Sequence, residues 1–434
     1  MLRNPQALRT GDADRAPMRL LAILAALNVL SYVDRQLLAS LAPLLIEDLG
    51  LSRAQIGLLM GVAFMPVYAV GMLAAGVLAD RGSRPRLIAA GLTAWSAATA
   101  LTGTASGLGA LAAWRALVGI GEATLPATGL SMIGDHVPRA RIGLANGVFY
   151  AGIPVGYALS FTLAGTIAPA LGWRACFLGL GVLGLAGVAL VGRVADPPRR
   201  GVPARATGGL AAAAVEAVRA VASRLSLMLV IFAGTLVVYA SASAQHLITW
   251  LVEERGFAFR GASFLSAGIV LAAGLVGNLG IGALTDRACR RHPGARLVAL
   301  AALGAVGLTA ALVFYRTSPG SGLFFAAWFL AQAWLLGWYG PLVAAIDEMA
   351  PPGLRASLIG FGLLVVNVVG VASGPYVTGL IGDRVSLTAG LTWSLGPATG
   401  GVVLLGVVGL AQLRRGQAGA FPRPGAFAKE PQRG

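Results

Sequence analysis

An all-α membrane protein, with twelve spanning helices in two six-helix halves, is the fold class this sequence predicts. Three observations carry that expectation. Of its 434 residues, 57% are hydrophobic and only 12% charged, with a mean hydropathy of +0.78, whereas soluble domains carry about 25% charged residues. Apolar runs of spanning length recur along the whole chain and leave no window for a sizeable soluble domain. A loop pattern in the first half returns in the second.

Apolar runs read against Gly, Pro and charge punctuation give helices near 19–47, 54–80, 86–104, 107–135, 142–169, 173–194, 225–253, 261–286, 295–315, 320–348, 355–381 and 387–413. The first run is too long for a signal-peptide core, and the stretch before it is polar. Residues 1–194 form one expected half and 225–415 the other. Between them, 195–224 is an expected cytoplasmic linker, opening on Asp196-Pro197-Pro198-Arg199-Arg200. Its second part, from Ala211, has an amphipathic pattern suited to a short surface helix. A Gly-, Pro- and Arg-rich tail, 416–434, reads as flexible.

The formal charge is +16, and its placement matters more than its size. Arginines crowd every second loop, while the loops between carry Glu47, Asp48, Glu253 and Glu254. That asymmetry is the positive-inside pattern, so both termini are expected in the cytoplasm, with the chain in a cell inner membrane. Nucleic acid is not an expected partner, because no basic globular face exists to bind it. Cys176 and Cys289 sit apart, and His136, His246 and His292 have no ligand spacing, so neither disulfide, metal nor cofactor is expected. No nucleophile-base set or phosphate-binding loop marks an enzyme.

The repeat fixes the architecture. Gly76-Val-Leu78-Ala-Asp80-Arg81-Gly-Ser-Arg84 returns as Gly282-Ala-Leu284-Thr-Asp286-Arg287-Ala-Cys-Arg290, and Pro138-Arg-Ala-Arg141 is answered by Pro352-Gly-Leu-Arg355. An Asp at a helix end with arginines beyond it can bond a neighbouring helix end. Gly76, Asp80, Arg81, Arg84, Asp286 and Arg287 are therefore the expected cytoplasmic gate, with Gly76 allowing close helix approach. Orientation of the chain alone is the plainer role for such arginines.

The charges inside the spans are the candidates for function. A charge at bilayer depth costs roughly 3 kcal/mol, so it is rare without a partner or a task. Asp34 lies about 15 residues, or roughly 22 Å, beyond Arg19, close to mid-membrane. Glu122 reaches the same depth on the fourth span, two turns from Arg115 on one face. These two are too far apart to pair directly, and the available partners are Asp34 and Arg35. Adjacent residues diverge by about 100°, so Asp34 and Arg35 must take different partners. A static ion-pair network that fixes packing is the alternative reading. Under the repeat, Asp34 and Arg35 fall on Ala240 and Ser241, and Arg115 on Phe329. The second half offers instead His246, Gln332, Tyr339 and Asn367. With Tyr32 these are the candidate substrate-wall residues, although a lone histidine such as His246 is often simply hydrogen-bonded. Gly147 and the Gly152-Ile-Pro154-Val-Gly156 run should let the fifth span pack tightly and bend.

Two repeated halves, twelve spans and the Gly-x-Leu-x-Asp-Arg-x-x-x-Arg loop resemble the major facilitator superfamily. Within it, Asn28-Val-Leu-Ser-Tyr32-Val-Asp34-Arg35-Gln36 and Arg115-x3-Gly119-x-Gly121-Glu122-Ala123 resemble the spinster family. The first string also occurs in organic-anion carriers. The resemblance implies a proton-coupled carrier of lysophospholipid- or sphingosine-phosphate-like amphiphiles, working by alternating access as a monomer among membrane lipids. It implies that Asp34 and Glu122 couple protons, while Arg35 and Arg115 pair them or hold an anionic head group. A carrier of small organic anions or drugs is the second expectation, and a non-transporting membrane sensor the third.

Overall fold

The computed structural model describes residues 5–138, 141–196, 198, 218–292, 294–350 and 355–417. Most of the 195–224 linker, including the first half of its expected amphipathic stretch, and residues 418–434 of the tail lie outside the described residues. The described chain is helical throughout. In chain order the elements are α1 Pro5–Ser40, α2 Ala42–Leu49, α3 Arg53–Met60, α4 Met65–Arg81, α5 Arg84–Thr102, α6 Leu108–Glu122, α7 Thr124–His136, α8 Ile142–Tyr150 and α9 Gly152–Val191. After the linker come α10 Leu225–Ser243, α11 Leu247–Glu253, α12 Phe259–Arg291, α13 Ala295–Arg316, α14 Gly322–Gly337, α15 Tyr339–Met349, α16 Arg355–Val365, a π-helical turn Val366–Val371, α17 Ala372–Arg384 and α18 Leu387–Gln417.

Among the described residues, 10 helical stretches are long and apolar enough to cross a membrane. One of them, Ile142–Val191, is 50 residues long and breaks at Gly172, which takes φ 80°, a conformation glycine adopts without a Cβ penalty. The segment before Gly172 packs on α1, where Gly156 faces Tyr32 and Val29. The segment after it packs on α5, where Gly181 faces Ser96 and Ala100. The 19-residue α5 carries Arg84 and Arg86 in its first turn and falls outside the 10.

Several spans that read as continuous in the sequence are broken near mid-length. The second is interrupted between Met60 and Met65, where Ala63 N–H reaches back to Leu58 O at 2.9 Å and Phe64 N–H to Gly61 O at 3.2 Å. The fourth turns at Ala123, the seventh passes through a 3-10 turn at Ala244–His246, and the tenth is interrupted at Trp338. The eleventh carries the π turn, a feature that recurs at functional sites. Such breaks free backbone polar groups and are tolerated where protein, not lipid, surrounds them.

The buried apolar side chains form four clusters. Two are built mainly from the first half, one around Leu92, Trp95 and Phe149, which also takes in Ala372, and one around Leu37, Leu41 and Phe177. A third surrounds Trp334, Trp338 and Leu342 in the second half. The fourth gathers Trp250, Phe314, Phe324 and Trp328 beside Phe161 of the first half. Between the loops of the first half, the Arg174 side chain at 2.6 Å and the Trp173 indole at 3.2 Å bond Asp48 and hold its carboxyl below the usual carboxylate range.

Candidate transport site

Four charged side chains from the first and fourth spans meet in two crossed pairs. Arg35 donates to Glu122 Oε2 from Nη2 at 2.7 Å and from Nε at 3.1 Å. Arg115 Nη1 lies 3.8 Å from Asp34 Oδ1. Each residue thus pairs with the other helix, as the helical period requires of two adjacent charges on α1 and two same-face charges on α6. Asp34, Arg115 and Glu122 are 2%, 1% and 0% exposed. The Arg35 side chain alone keeps some access, at 16%.

Small residues make this approach possible. A Cβ at Gly121 would lie 2.7 Å from both Gly91 O and Trp95 Cβ, and one at Gly119 would lie 3.0 Å from Phe64 O. The α6 backbone therefore rests directly on the second and third spans, and Glu122 enters the interior at the Ala123 break. Gly76 differs from the sequence expectation. A Cβ there would meet nothing within 4 Å, because Gly76 lies on an open side of α4, while Ala75 and Ala79 face the buried side.

Aromatic rings frame both cations. The Arg35 guanidinium carbon lies 4.6 Å from the Tyr68 ring centre and 5.0 Å from those of Tyr32 and Phe64. Arg115 lies 4.7 Å from the other side of the cage, at Phe64. Phe64 and Tyr68 stack at 5.4 Å. Neither ring stood out in the sequence; their i, i+4 spacing on a helix of unknown orientation was the one available signal. Thr99, equally unmarked, donates its hydroxyl to Asp34 Oδ2.

Several polar atoms of this cluster have no hydrogen-bond partner among the described residues. They are Asp34 Oδ1, Glu122 Oε1 and Arg115 Nε and Nη1. Unsatisfied buried groups of this kind cost free energy unless water or a ligand meets them. The 3.8 Å between Arg115 Nη1 and Asp34 Oδ1 is an ion-pair distance, too long for a direct hydrogen bond. The arrangement can therefore accept a proton at either carboxylate, and it can offer a guanidinium fork to an anion.

The second half contributes polar rather than ionic groups. Asn367, in the π turn, donates to Tyr339 Oη at 3.0 Å and to Leu363 O at 2.7 Å. Gln332 is half-buried on α14. His246 has a different placement from the expected wall. It is 0% exposed, and its Nε2 meets Pro375 O at 2.8 Å, tying the seventh span to the eleventh.

At the opposite end of the molecule from Arg53, the expected gate residues separate into two groups. Asp80, Arg81, Asp286 and Arg287 are exposed. Arg84 is 1% exposed and binds Asp196 at 2.8 Å, Asp135 at 2.5 Å and Ser131 at 3.1 Å. It braces α5 and α7 against Asp196 at the start of the linker. The matching brace in the second half is Arg296, bound to Asp286 at 2.6 Å and Glu348 at 2.9 Å. Both arginines stand in the first turn of a helix, α5 and α13, so the spatial counterpart of Arg84 is Arg296 and not the sequence-aligned Arg290. Helix α12 runs past Asp286 to Arg291, whereas α4 ends at Arg81, directly after Asp80, and this shifts the register of the repeat.

The profile of the Major Facilitator Superfamily matches residues 24–375. The chain belongs to that superfamily. An MFS-type efflux pump of Mycolicibacterium smegmatis is 32% identical over 425 residues, covering 94% of each chain. The sphingosine-1-phosphate transporter SPNS2 of Danio rerio is 26% identical over 389 residues, covering 85% of this chain and 77% of the relative. Among solved structures, a bacterial homolog of the human lysosomal transporter spinster, in an inward-facing and unoccupied conformation, superposes with a TM-score of 0.78. It is 20% identical and covers 94% of this chain and 99% of its own. This major facilitator is thus a membrane transporter resembling the spinster family, and not an enzyme.

Proposed function

We propose that this transporter carries amphiphilic, lipid-like substrates of lysophospholipid or sphingosine-phosphate type, coupled to protons, by alternating access. The observation that carries the reading is the Arg35–Glu122 pair inside the Tyr32, Phe64 and Tyr68 cage. A cation that is held by a buried carboxylate and framed by aromatic faces suits a ligand with an anionic head and an apolar body. Protonation of Glu122 removes the counter-charge of Arg35 and releases its fork to a phosphate or carboxylate head group. Asp34 and Arg115 form the second exchangeable pair. Gln332, Tyr339 and Asn367 supply the uncharged wall, and Asp80, Arg81, Asp286 and Arg287 act at the gate.

The reading of twelve crossings in two halves is supported by the break of the 50-residue stretch at Gly172 and by α5 taken as a further span. Arginine-rich loops on the Asp80 side favour cytoplasmic termini and a bacterial inner membrane. A single chain suffices for the site, which draws its charges from one half of one molecule.

A second reading, carriage of small organic anions or drugs, is favoured by the full-length likeness to an efflux pump. Ligand-induced thermal shifts across lysolipids and small organic anions separate the two. Stabilisation by lysolipids that tracks the charged head group supports the first reading. A response confined to small anions or drugs supports the second.

A further inference from the structure

The helix α3 starts at Arg53, and its first amides are capped from the other half of the molecule. Asp383, near the end of α17, accepts from Arg53 N–H through Oδ1 at 2.9 Å and from Ala54 N–H through Oδ2 at 3.0 Å. The Arg53 guanidinium donates to Glu253 Oε2 at 2.6 and 2.9 Å and to Gly382 O at 2.9 Å. One residue of the first half is therefore tied to the ends of two spans, the seventh and the eleventh, in the second half.

Beneath these bonds the two halves touch backbone to backbone. A Cβ at Gly57 would lie 2.5 Å from Pro375 C, and one at Gly379 would lie 2.5 Å from Arg53 C. A Cβ at Gly61 would lie 2.8 Å from Val371 O. Such a seam has few interlocking side chains, so separating it opens no large packing defect. The polar contacts at its rim then decide whether it stays shut.

We infer that Arg53, Glu253 and Asp383 form a reversible latch that closes this face and is broken once in each transport cycle. The inference rests on the alternating-access reading. Exposure distinguishes the latch from the Arg84 brace at the other end. The Arg53 and Glu253 side chains are 29% and 24% exposed, so water replaces each partner as the face opens. The Arg84 side chain is 2% exposed and ties α5 to α7 and to Asp196 at the start of the linker. Half-exposed charge pairs are weak enough to exchange, whereas buried ones are costly to break. Charged caps on helix amides add directionality, because Asp383 meets both donors only when α3 and α17 are in register.

The test uses spin labels at Glu47→Cys and Val385→Cys, one on each half at this face, in a Cys176→Ala/Cys289→Ser chain in nanodiscs. Asp383→Asn removes one of the two amide acceptors and the charge. Its ratio of long to short label distances should rise about five- to tenfold, the range for losing a cap or charged hydrogen bond. Glu253→Gln, at a half-exposed edge where the fold is not at stake, should give a smaller rise in the same direction. Distance distributions that match the parent in both variants would overturn the latch. Since no substrate or proton gradient enters this readout, a lipid-transport failure leaves the distance shift intact. Unchanged distances in a working lipid carrier would remove the latch alone.

Discussion

Glu122 accepts both of its hydrogen bonds from Arg35 through Oε2 and leaves Oε1 buried without a partner among the described residues. An ion pair built only for packing would be expected to fill both oxygens, since an unmet buried lone pair costs about 1–3 kcal/mol. The neighbouring Arg115–Asp34 pair is looser still, at 3.8 Å. The cluster is thus under-bonded at the positions where a proton, a water or a head group would enter.

Stability should show how strongly the Asp34 and Arg115 charges depend on each other. Removing one partner of a buried pair costs about 3–5 kcal/mol, while replacing both is often near neutral. Arg115→Leu should therefore lower the thermal unfolding temperature sharply, and adding Asp34→Asn should restore a good part of the loss. A double-mutant cycle measured by unfolding in detergent gives the coupling directly. Additive losses would mean that the 3.8 Å gap isolates the two groups.

The two arginines of the first gate loop should behave in opposite ways. Arg84→Ala leaves Asp135 and Asp196 without their shared cation and should destabilise the protein by about 3 kcal/mol. Arg81 is exposed, so Arg81→Ala should change stability by no more than about 0.5 kcal/mol. Transport assays on the Arg81 variant then report its part in gating free of folding effects.

Glycines separate by what lies against them. Gly121→Ala places a methyl 2.7 Å from Gly91 O and should push α6 off α5, at a cost of about 1–3 kcal/mol. Because Glu122 is the next residue, turnover should fall further than expression. Gly76→Ala meets open space and should leave stability unchanged or slightly improved, measured by the same unfolding assay.

Much of this architecture was legible in the sequence for simple reasons. Span length and hydropathy mark the helices, and helical period fixes which of Asp34, Arg35, Arg115 and Glu122 can face one another. The mid-span breaks at Gly61–Phe64, Ala123 and Trp338 were not legible, because they depend on what each helix packs against. Arg53 was passed over as one arginine on a lightly charged face. Its signal was local, a Ser52-x-x-Gln55 capping box that the structure forms in full, but nothing in the sequence placed Asp383 beside it. Arg84 aligns with Arg290 in the linear repeat, which cannot register that α12 continues past Asp286 where α4 stops after Asp80. In the sequence His246 reads as a wall residue, since nothing there marks Pro375 O as the partner of its ring.

Head-group recognition by Arg35 should depend on charge. Arg35→Ala should weaken binding of a phosphate-bearing lysolipid at least tenfold, in line with about 1.5–3 kcal/mol for a charged hydrogen bond. Binding of an uncharged amphiphile of equal chain length should change little. Tryptophan-fluorescence or thermal-shift titration of both ligands checks the difference, and equal losses would place Arg35 in a structural role.

Proton coupling through the crossed pairs is the central claim, and liposome uptake under an imposed pH gradient tests it most directly. Wild-type protein should accumulate a labelled lysolipid in proportion to the gradient. The Asp34→Asn/Glu122→Gln protein should still bind that substrate and equilibrate it across the bilayer, with a rate and extent that no longer respond to the gradient. Gradient-dependent uptake at the wild-type level in the doubly neutral protein would contradict the account.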